Sequence, residues 1–325
     1  MKKIPLSVSD VFSATTRIYP LAKVTPLIPS IKIKEAYKAK GVMFKAEFLQ
    51  ETGSFKLRGA ANKIGSLSDS EKKRGVITFS TGNHGKAVSY VASSYNVPST
   101  VCLSNRVPLY RVRAIEALGG VVVREGNSQD EAESAYLRIM KEKNLIPVVP
   151  FDDPFIASGQ GTISLEIFNQ YPDVDTLIVP LSGGGLLGGM AMAMKHIKPS
   201  VKIIGVSIKR SPAMLNSILA GKVVQVEEKD TIADSLLGGI GFENNYSFSL
   251  VKHYVDEHVV VDEDVIKEAM RTLFYDHGLV IEGGGAVTLA AIQSGLVDIE
   301  GRHVVMPLTG RNVDYATFLK VVQEV

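Results

Sequence analysis

Residues 176–189 read TLIVPLSGGGLLGG, which predicts a buried strand, a glycine-rich loop and the first turns of a helix. The strand is a continuous apolar run, as is typical of a parallel sheet that is covered on both faces. Glycines at the carboxyl end of such a strand permit a tight turn into the following helix. This strand–loop–helix unit indicates an α/β fold.

Similar units extend in both directions along the 325-residue chain. Strands are predicted at Val42–Glu47, Val76–Phe79, Thr100–Leu103, Val121–Arg124, Ile146–Val149, Thr176–Pro180, Lys202–Ser207, His258–Val261 and His303–Pro307. Helical periodicity predicts helices that include Gly85–Ser94, Asp130–Lys143 and Asp264–Asp276. Strands that alternate with helices at this spacing form βαβ units. We therefore expect two open, mostly parallel sheets with helices on both faces.

The strand series divides into two lobes. Residues 67–149 contain enough strand–helix steps to close a small sheet of their own, which predicts a small substrate-side domain. Residues 1–66 and 150–325 then form the large domain. Ligands of such sheets bind beyond the carboxyl ends of the strands. A cleft between the two lobes, lined by the loops at those ends, is the expected site.

Composition excludes several classes of partner. The net charge is +2, from 36 basic and 34 acidic side chains, and no basic patch with interleaved aromatic residues predicts nucleic-acid binding. Thr176–Met194 carries no charge over 19 residues, but Pro180 and five glycines interrupt it, so no membrane span is expected. The single cysteine, Cys102, excludes an intrachain disulfide, and a cytoplasmic location is the expectation.

The first candidate reactive group is Lys56, in the run SFKLRGA at residues 54–60. A lysine at the positive end of a helix is electrostatically unfavourable, and burial there would lower its pKa. A lowered pKa suits an amine that must act as a nucleophile and form a Schiff base. The alternative is an ordinary surface lysine on an amphipathic helix.

A second loop, STGNHG at residues 80–85, follows another predicted strand. Its glycines and its Ser, Thr and Asn side chains suit a helix N-terminus that binds an anion, such as a substrate carboxylate. The alternative is an ordinary capped βα loop. A lone histidine such as His84 is more often structural than catalytic.

The third loop is the glycine-rich one, SGGGLLGG at residues 182–189. Consecutive glycines let several backbone N–H groups converge on a phosphate in front of the helix dipole. The same run matches the dinucleotide pattern G-x-G-x-x-G. The carboxylate expected about 20 residues later is missing, but Lys209 and Arg210 could accept the extra phosphate of NADP. An NADP-dependent oxidoreductase is thus the rival function.

Taken together, these segments resemble the fold-type II family of pyridoxal 5′-phosphate (PLP) enzymes, which have the fold of the tryptophan synthase β-subunit. The motifs that carry the resemblance run in order along nearly the whole chain: SFKLRGA, STGNHG, DDPFIASGQGT, SGGGLLGG, IADSL and VIEGGGAVTLAA. They are most similar to threonine/serine dehydratases, including those of hydroxyectoine utilisation, and to serine racemases. Their combination is far more specific than any one loop.

The resemblance implies a role for each matched residue. Lys56 would hold the cofactor as a Schiff base and remove the substrate's α-proton. The other residues expected to contact the cofactor are Phe55 against the ring, Asn83 at the 3′ oxygen, Gly183, Gly184, Gly185 and Leu186 at the phosphate, and Thr309 at the pyridine nitrogen. The residues expected to contact the substrate are Ser80, Thr81, Gly82 and His84, with Thr81 also a candidate catalytic residue.

The activity implied by the resemblance is that of an ammonia-lyase. It would convert a β-hydroxy amino acid such as L-threonine or L-serine into a 2-oxo acid and ammonia. A neutral hydroxyl at Thr309 makes the ring a weaker electron sink than a carboxylate would, which favours elimination. A β-replacement synthase and a racemase of the same fold are the alternatives. A homodimer or homotetramer is expected.

Six positions differ from patterns in the family. Racemases have serine where this chain has Thr81, so we expect weak racemase activity. Their acidic metal ligands are replaced here by Ser207, Ser211 and Ala213, which predicts no metal site. Lys86 stands where many relatives have glutamine or another neutral residue, and Arg311 replaces a glycine of the final loop. The sequence provides no role for either Lys86 or Arg311.

Overall fold

Two sheets organise the protein in a computed structural model, which describes residues 6–80, 82–127, 129–227, 229–241 and 243–324. The strands are β1 (Leu27–Pro29), β2 (Gly41–Lys45), β3 (Val76–Phe79), β4 (Ser99–Leu103), β5 (Val121–Arg124), β6 (Ile146–Pro147), β7 (Thr176–Pro180), β8 (Lys202–Ile208), β9 (Glu257–Val261) and β10 (His303–Pro307). The large sheet has the order β1-β2-β10-β7-β8-β9 and the small sheet β5-β4-β3-β6. Only β1 pairs antiparallel among these strands.

Helices connect the strands and cover the sheets. They are α1 (Val8–Ile18), α2 (Ile31–Ala36), α3 (Lys56–Gly65), α4 (Asp69–Arg74), α5 (Asn83–Ser94), α6 (Leu109–Glu116), α7 (Gln129–Glu142), α8 (Pro154–Gln170), α9 (Gly185–Ile197), α10 (Ala213–Ala220), α11 (Ser247–Tyr254), α12 (Glu263–His277), α13 (Gly283–Gln293) and α14 (Tyr315–Gln323). Short 3₁₀ helices occur at Glu47–Leu49 and Asp234–Leu236.

Both faces of the large sheet are buried at its central strands β10, β7 and β8, as their apolar sequences predict. Successive side chains of a strand point to opposite faces. Leu177 and Val179 of β7 accordingly pack in one apolar cluster with α9. Ile178, between them, packs in another cluster with α13. The small sheet follows the same rule, with Val76 of β3 packed towards α5 and Ile77 towards α7.

A buried ion cluster joins α3 to the large sheet. The guanidinium of Arg58 donates Nε and Nη2 to the Glu47 carboxylate, at 2.8 and 2.7 Å. Its Nη1 and Nη2 reach the Glu166 carboxylate at 2.5 and 2.9 Å, and Lys45 Nζ donates to the same carboxylate at 2.6 Å. All four side chains are buried. This cluster fixes the helix whose first residue is Lys56.

The expected fold class is confirmed, and the predicted strand bounds differ by at most two residues at either end. Strand β1 was not predicted because it has three residues, ends in a proline and shows no alternation. The strands of the small sheet all lie between Val76 and Pro147. The domain limits at residues 67 and 149 stay predictions. Within the described residues, none of the helices is long and apolar enough to cross a bilayer.

Candidate active site

The topology brings Lys56, Thr309 and the glycine-rich loop to one edge of the large sheet. Strand β10 lies between β2 and β7, and all three run parallel. The chain leaves β2 towards Lys56, leaves β10 towards Thr309 and leaves β7 into the glycine loop, which we define as residues 182–185. The carboxyl ends of parallel strands share one edge, so these groups line one cleft.

Lys56 is the first residue of α3, where its amine lies against the protein instead of in open solvent. Its Nζ donates to the Pro150 carbonyl at 2.8 Å and lies 5.3 Å from the centroid of the Phe55 ring. Desolvation lowers the pKa of this amine to about 8, against a smaller opposing effect of the Glu282 carboxylate. Roughly a tenth of this amine is therefore uncharged at pH 7, far more than of an ordinary lysine, and only the uncharged amine is a nucleophile.

Backbone contacts hold Lys56 next to the end of β10. Phe55 N donates to the Thr309 carbonyl at 3.0 Å, and Ser54 forms a β-bridge with Gly310. Thr309 itself is buried. A Cβ at Gly310 would lie 2.8 Å from the Glu282 carboxyl carbon, so glycine permits the close approach of this carboxylate.

Asn83 is the first residue of α5, which follows β3 of the small sheet, and its side chain contacts the carboxylate of Glu282. Its Nδ2 donates to Glu282 Oε1 at 2.7 Å. Its Oδ1 accepts from Asn312 Nδ2 at 2.5 Å, and Asn312 N donates to Glu282 Oε2 at 3.0 Å. The amide of Asn83 is thus held at both ends.

Glu282 precedes α13 and is buried. Desolvation raises the pKa of its carboxyl to about 7, and the Asp234 carboxylate raises it further, while donors from Asn83, Ser235 and Asn312 oppose both effects. Protonated and ionised forms of this carboxyl are therefore close in free energy near neutral pH.

The glycine loop forms the opposite wall of the cleft. Helix α9 begins at Gly185, and the preceding Gly184 has φ of +84°, a left-handed conformation that favours glycine. The first N–H groups of α9 have no partners within the helix, and such groups are available to bind an anion. Ser247 Oγ donates to the Gly183 carbonyl at 2.7 Å and fixes the loop from behind.

Phe151 explains why two of these positions need glycine. A Cβ on Gly183 would lie 2.3 Å from the Phe151 ring, and one on Gly185 would lie 2.7 Å from its carbonyl oxygen. The Asp152 carboxylate accepts from the backbone N–H groups of Asn245, Tyr246 and Ser247 at 2.8 to 2.9 Å. The Phe151 segment is consequently anchored against the loop.

We expect Gly185→Ala to weaken phosphate binding at this loop. The added methyl would strike backbone atoms of Phe151, which cannot rotate away as a side chain could, so the first turn of α9 must shift. The expected result is at least about a tenfold weaker affinity for PLP, measured by titrating the apoprotein. Gly239→Ala is the matched control, since its methyl would meet nothing closer than 3.6 Å. Equal affinities of the two variants would contradict the assignment.

The residues predicted to contact the substrate lie around the start of α5. Ser80 and Gly82 are half-buried there, and Thr81 lies outside the described residues. His84 is 2% exposed, and its Nε2 donates to the Val148 carbonyl at 2.9 Å. Desolvation lowers the pKa of its imidazole to about 3, and the neighbouring Lys56 cation also lowers it. His84 is therefore neutral, with Nδ1 as an acceptor.

Several residues of this site were not assigned from the sequence. They are Glu282, Asn312, Phe151, Asp152 and the Pro150 carbonyl. The buried carboxylate had a weak signal, since Glu282 directly precedes a run of three glycines at a helix start. Within the described residues, no group of three or more His, Cys, Asp or Glu side chains could hold a metal ion.

These features fit PLP. Its aldehyde needs an uncharged lysine amine, and its phosphate needs a cluster of N–H donors at a helix N-terminus. Lys56 and the glycine loop offer both in one cleft. The fold and the site therefore define a PLP-dependent enzyme that carries its cofactor on a lysine.

Comparison with known proteins leads to the same class. An L-threonine ammonia-lyase of Thermotoga maritima is 42% identical over 273 residues, which is 84% of this chain and 67% of the relative. A catabolic L-threonine dehydratase of Staphylococcus aureus is 37% identical over 321 residues, 98% of this chain and 92% of the relative. Maize serine racemase superposes with a TM-score of 0.91 at 31% identity, covering 98% of this chain and 97% of that structure.

The chain belongs to the family of pyridoxal-phosphate dependent enzymes, whose model matches residues 18–310. PLP is therefore its cofactor, and the enzyme is a lyase of the threonine dehydratase type. The rival interpretation as an NADP-dependent oxidoreductase is not supported. Lys209, which would have met the extra phosphate, pairs with Asp262 instead at 3.0 Å.

Proposed function

We propose that the enzyme is an ammonia-lyase that dehydrates a β-hydroxy amino acid, such as L-threonine or L-serine, to a 2-oxo acid and ammonia. The observation that carries this proposal is the Lys56 amine, with its pKa lowered to about 8, in the same cleft as an anion-binding helix N-terminus. The names of the threonine ammonia-lyase and threonine dehydratase relatives support the choice of reaction.

Lys56 would serve twice in this reaction. It would hold the cofactor covalently and, once the substrate's amino group has replaced it, its free amine would accept the proton from the α-carbon. The Pro150 carbonyl, 2.8 Å from Nζ, orients the amine. When bound, the cofactor withdraws electrons from the α-carbon and makes that proton acidic.

Thr309 would face the pyridine nitrogen from the end of β10. Its hydroxyl is neutral and buried, so it does not stabilise a proton on that nitrogen as a carboxylate would. The ring is then a weaker electron sink, and rapid loss of a β-leaving group is favoured over a long-lived carbanion. This argument favours elimination of the β-hydroxyl over transamination.

The substrate carboxylate would lie at the N-terminus of α5. Ser80 and Gly82 precede that helix, whose first N–H groups have no partners within it. Neutral His84 adds no positive charge, so the helix dipole and the backbone donors would provide the attraction. Thr81 lies outside the described residues, and it stays a proposed catalytic residue because the sequence places it between Ser80 and Gly82.

The pKa of Lys56 can be measured through cofactor uptake. Only the uncharged amine attacks an aldehyde, so the rate at which apoenzyme takes up PLP is expected to rise about tenfold per pH unit below pH 8 and then to level off. Stopped-flow absorbance between pH 6 and about 10.5 measures this rate. A rate that still climbs tenfold per unit above pH 9 would show an ordinary lysine pKa and contradict the assignment.

Product analysis tests the reaction itself. The enzyme with PLP is incubated separately with L-threonine, L-serine, threo-3-hydroxyaspartate and phenylserine, and ammonia and 2-oxo acid are measured. Equal amounts of both products support the lyase. Formation of D-serine without ammonia would instead support a racemase, the activity named for the maize structure. Conversion of O-acetylserine and sulfide to cysteine would support a β-replacement synthase.

We further propose that the enzyme works in the cytoplasm as a homodimer or homotetramer and requires no metal. The lone cysteine, Cys102, is buried and unpaired, which suits a reducing compartment. Dimers are the commonest assembly of soluble enzymes of this size. Light scattering of the purified enzyme tests the assembly, and activity after chelation tests the independence from metal.

A further inference from the structure

Lys86 is a positively charged residue that the proposed reaction does not use. It lies on the first turn of α5, one residue after the STGNHG loop, and its side chain is half-buried. Its Nζ donates to Asn312 Oδ1 at 2.6 Å. Desolvation and the nearby Arg311 cation lower the pKa of this amine, while the Glu282 carboxylate opposes them. The half-buried position thus carries an energetic cost that a surface lysine would avoid.

The contact with Lys86 determines how the Asn312 amide is turned. An ammonium has only donors, so Asn312 must present its oxygen to Lys86. Its Nδ2 then faces the other way, where its two hydrogens meet the Thr52 carbonyl at 2.9 Å and Asn83 Oδ1 at 2.5 Å. The Thr52 carbonyl can only accept, and Asn83 presents its oxygen to the second hydrogen, so the orientation is consistent at every contact.

The orientation of Asn312 in turn determines that of Asn83. Because Asn83 presents its oxygen to Asn312, its Nδ2 lies towards Glu282 Oε1, at 2.7 Å. The carboxylate uses one hydrogen of that nitrogen and leaves the second for another acceptor. A reversed Asn83 would place an oxygen against the Glu282 carboxyl, which is unfavourable when that carboxyl is ionised, and it would have no hydrogen to offer in this direction.

We propose that Lys86 is a positioning residue that acts through Asn312 to keep the Asn83 amide turned with its donor towards the 3′ oxygen of PLP. This inference rests on the proposed function, in which Asn83 binds that oxygen. Lys86, Asn312, Asn83 and Glu282 form a chain in which a donor at one end and a carboxyl group at the other favour a single direction for two amides. We call this chain the amide relay.

The relay has a consequence for the cofactor's electronic state. A donor at the 3′ oxygen stabilises the ionised form of that oxygen, and so lowers the pH at which it loses its proton. If Asn83 turns, an amide oxygen replaces the donor and that pH rises. The relay would therefore affect both the affinity for PLP and the pH dependence of its visible absorbance.

Two variants disturb the relay at different contacts. Lys86→Met removes the donor and keeps most of the length of the side chain. Asn312→Asp replaces the amide with a group that can only accept when ionised, which then faces the Thr52 carbonyl and Asn83 Oδ1. We expect PLP affinity to fall about fivefold in the first and at least about tenfold in the second, because buried unpaired acceptors are costly. The pH midpoint of the visible band should rise in both.

The control variants distinguish an effect on the orientation of the amides from an effect of the positive charge. Lys86→Gln keeps a donor without the cation and should bind PLP as the wild type does. Arg311→Met removes a cation close to Lys86 but no member of the relay, and should also resemble the wild type. If Lys86→Gln and Arg311→Met weaken binding as much as Lys86→Met, the positive charge is what matters and the proposal is wrong.

The behaviour of the wild-type enzyme shows whether the proposed function or the amide relay is wrong. Wild-type enzyme that takes up no borohydride-reducible PLP would overturn the proposed function. Wild-type enzyme that binds PLP normally, beside Lys86→Met and Asn312→Asp variants with unchanged affinity and unchanged pH midpoint, would overturn the amide relay and leave the proposed function intact.

Discussion

Replacing Lys56 with alanine is expected to lower the turnover of L-threonine by about a thousandfold or more. The substitution removes both the amine that would hold the cofactor and the base that would accept the α-proton, and a single positioned base contributes roughly 10²- to 10⁴-fold in rate. The variant should also lack the visible absorbance that borohydride removes. Ammonia release and absorption spectra of the purified protein measure the two effects.

Lys63→Ala is the matched control for this loss. Lys63 lies on the same helix and pairs with Asp153 at 2.6 Å, and no part of the proposed reaction depends on its amine. Its absorbance should match that of the wild type. Should Lys56→Ala keep the reducible absorbance, a different lysine would hold the cofactor and the assignment of the site would be lost.

The second large effect concerns stability. Arg58→Met should lower the free energy of unfolding by about 3–5 kcal/mol, because it leaves the buried carboxylates of Glu47 and Glu166 without their main cation. The loss of stability should also affect the active site, because α3 contains both Arg58 and Lys56. Urea denaturation of the apoprotein measures the change.

An exposed ion pair provides the comparison. Lys202 and Glu257 form a salt bridge at 2.5 Å with both side chains more than a third exposed, and Lys202→Met should cost less than about 1 kcal/mol. If Arg58→Met is too unstable to purify, Glu47→Gln keeps the shape of the cluster and should show a smaller loss. A stability of Arg58→Met within about 1 kcal/mol of the wild type would show that the cluster does not hold α3.

The large-scale fold followed from short-range patterns. Continuous apolar strands such as β7 are recognisable because both faces of the sheet are covered, and glycines at their ends mark the loops. Strand β1 was not predicted because its own three residues do not specify a strand. It forms through its pairing with β2, which comes later in the chain. The order of strands in each sheet depends on the same kind of distant pairing, and the local patterns that predict the strands do not specify it.

Parts of the site could be predicted from the sequence where a residue type has a characteristic chemistry in a recognisable local pattern. A lysine after a strand and a glycine loop before a helix indicated an amine and a phosphate site, although the roles themselves came from the family resemblance. Glu282 and Asn312 were not assigned because their roles depend on neighbours about 200 residues away, namely Asn83 and Lys86. Such donor–acceptor chains become visible only when the lobes are placed together.

The central claim is that the amine of Lys56 holds the cofactor. The most direct test is to reduce the PLP-loaded enzyme with borohydride, digest it and locate the modified lysine by mass spectrometry. We predict a phosphopyridoxyl group on the peptide that contains residues 54–58, at Lys56. A phosphopyridoxyl group on any other lysine, or none after incubation with PLP, would contradict the account.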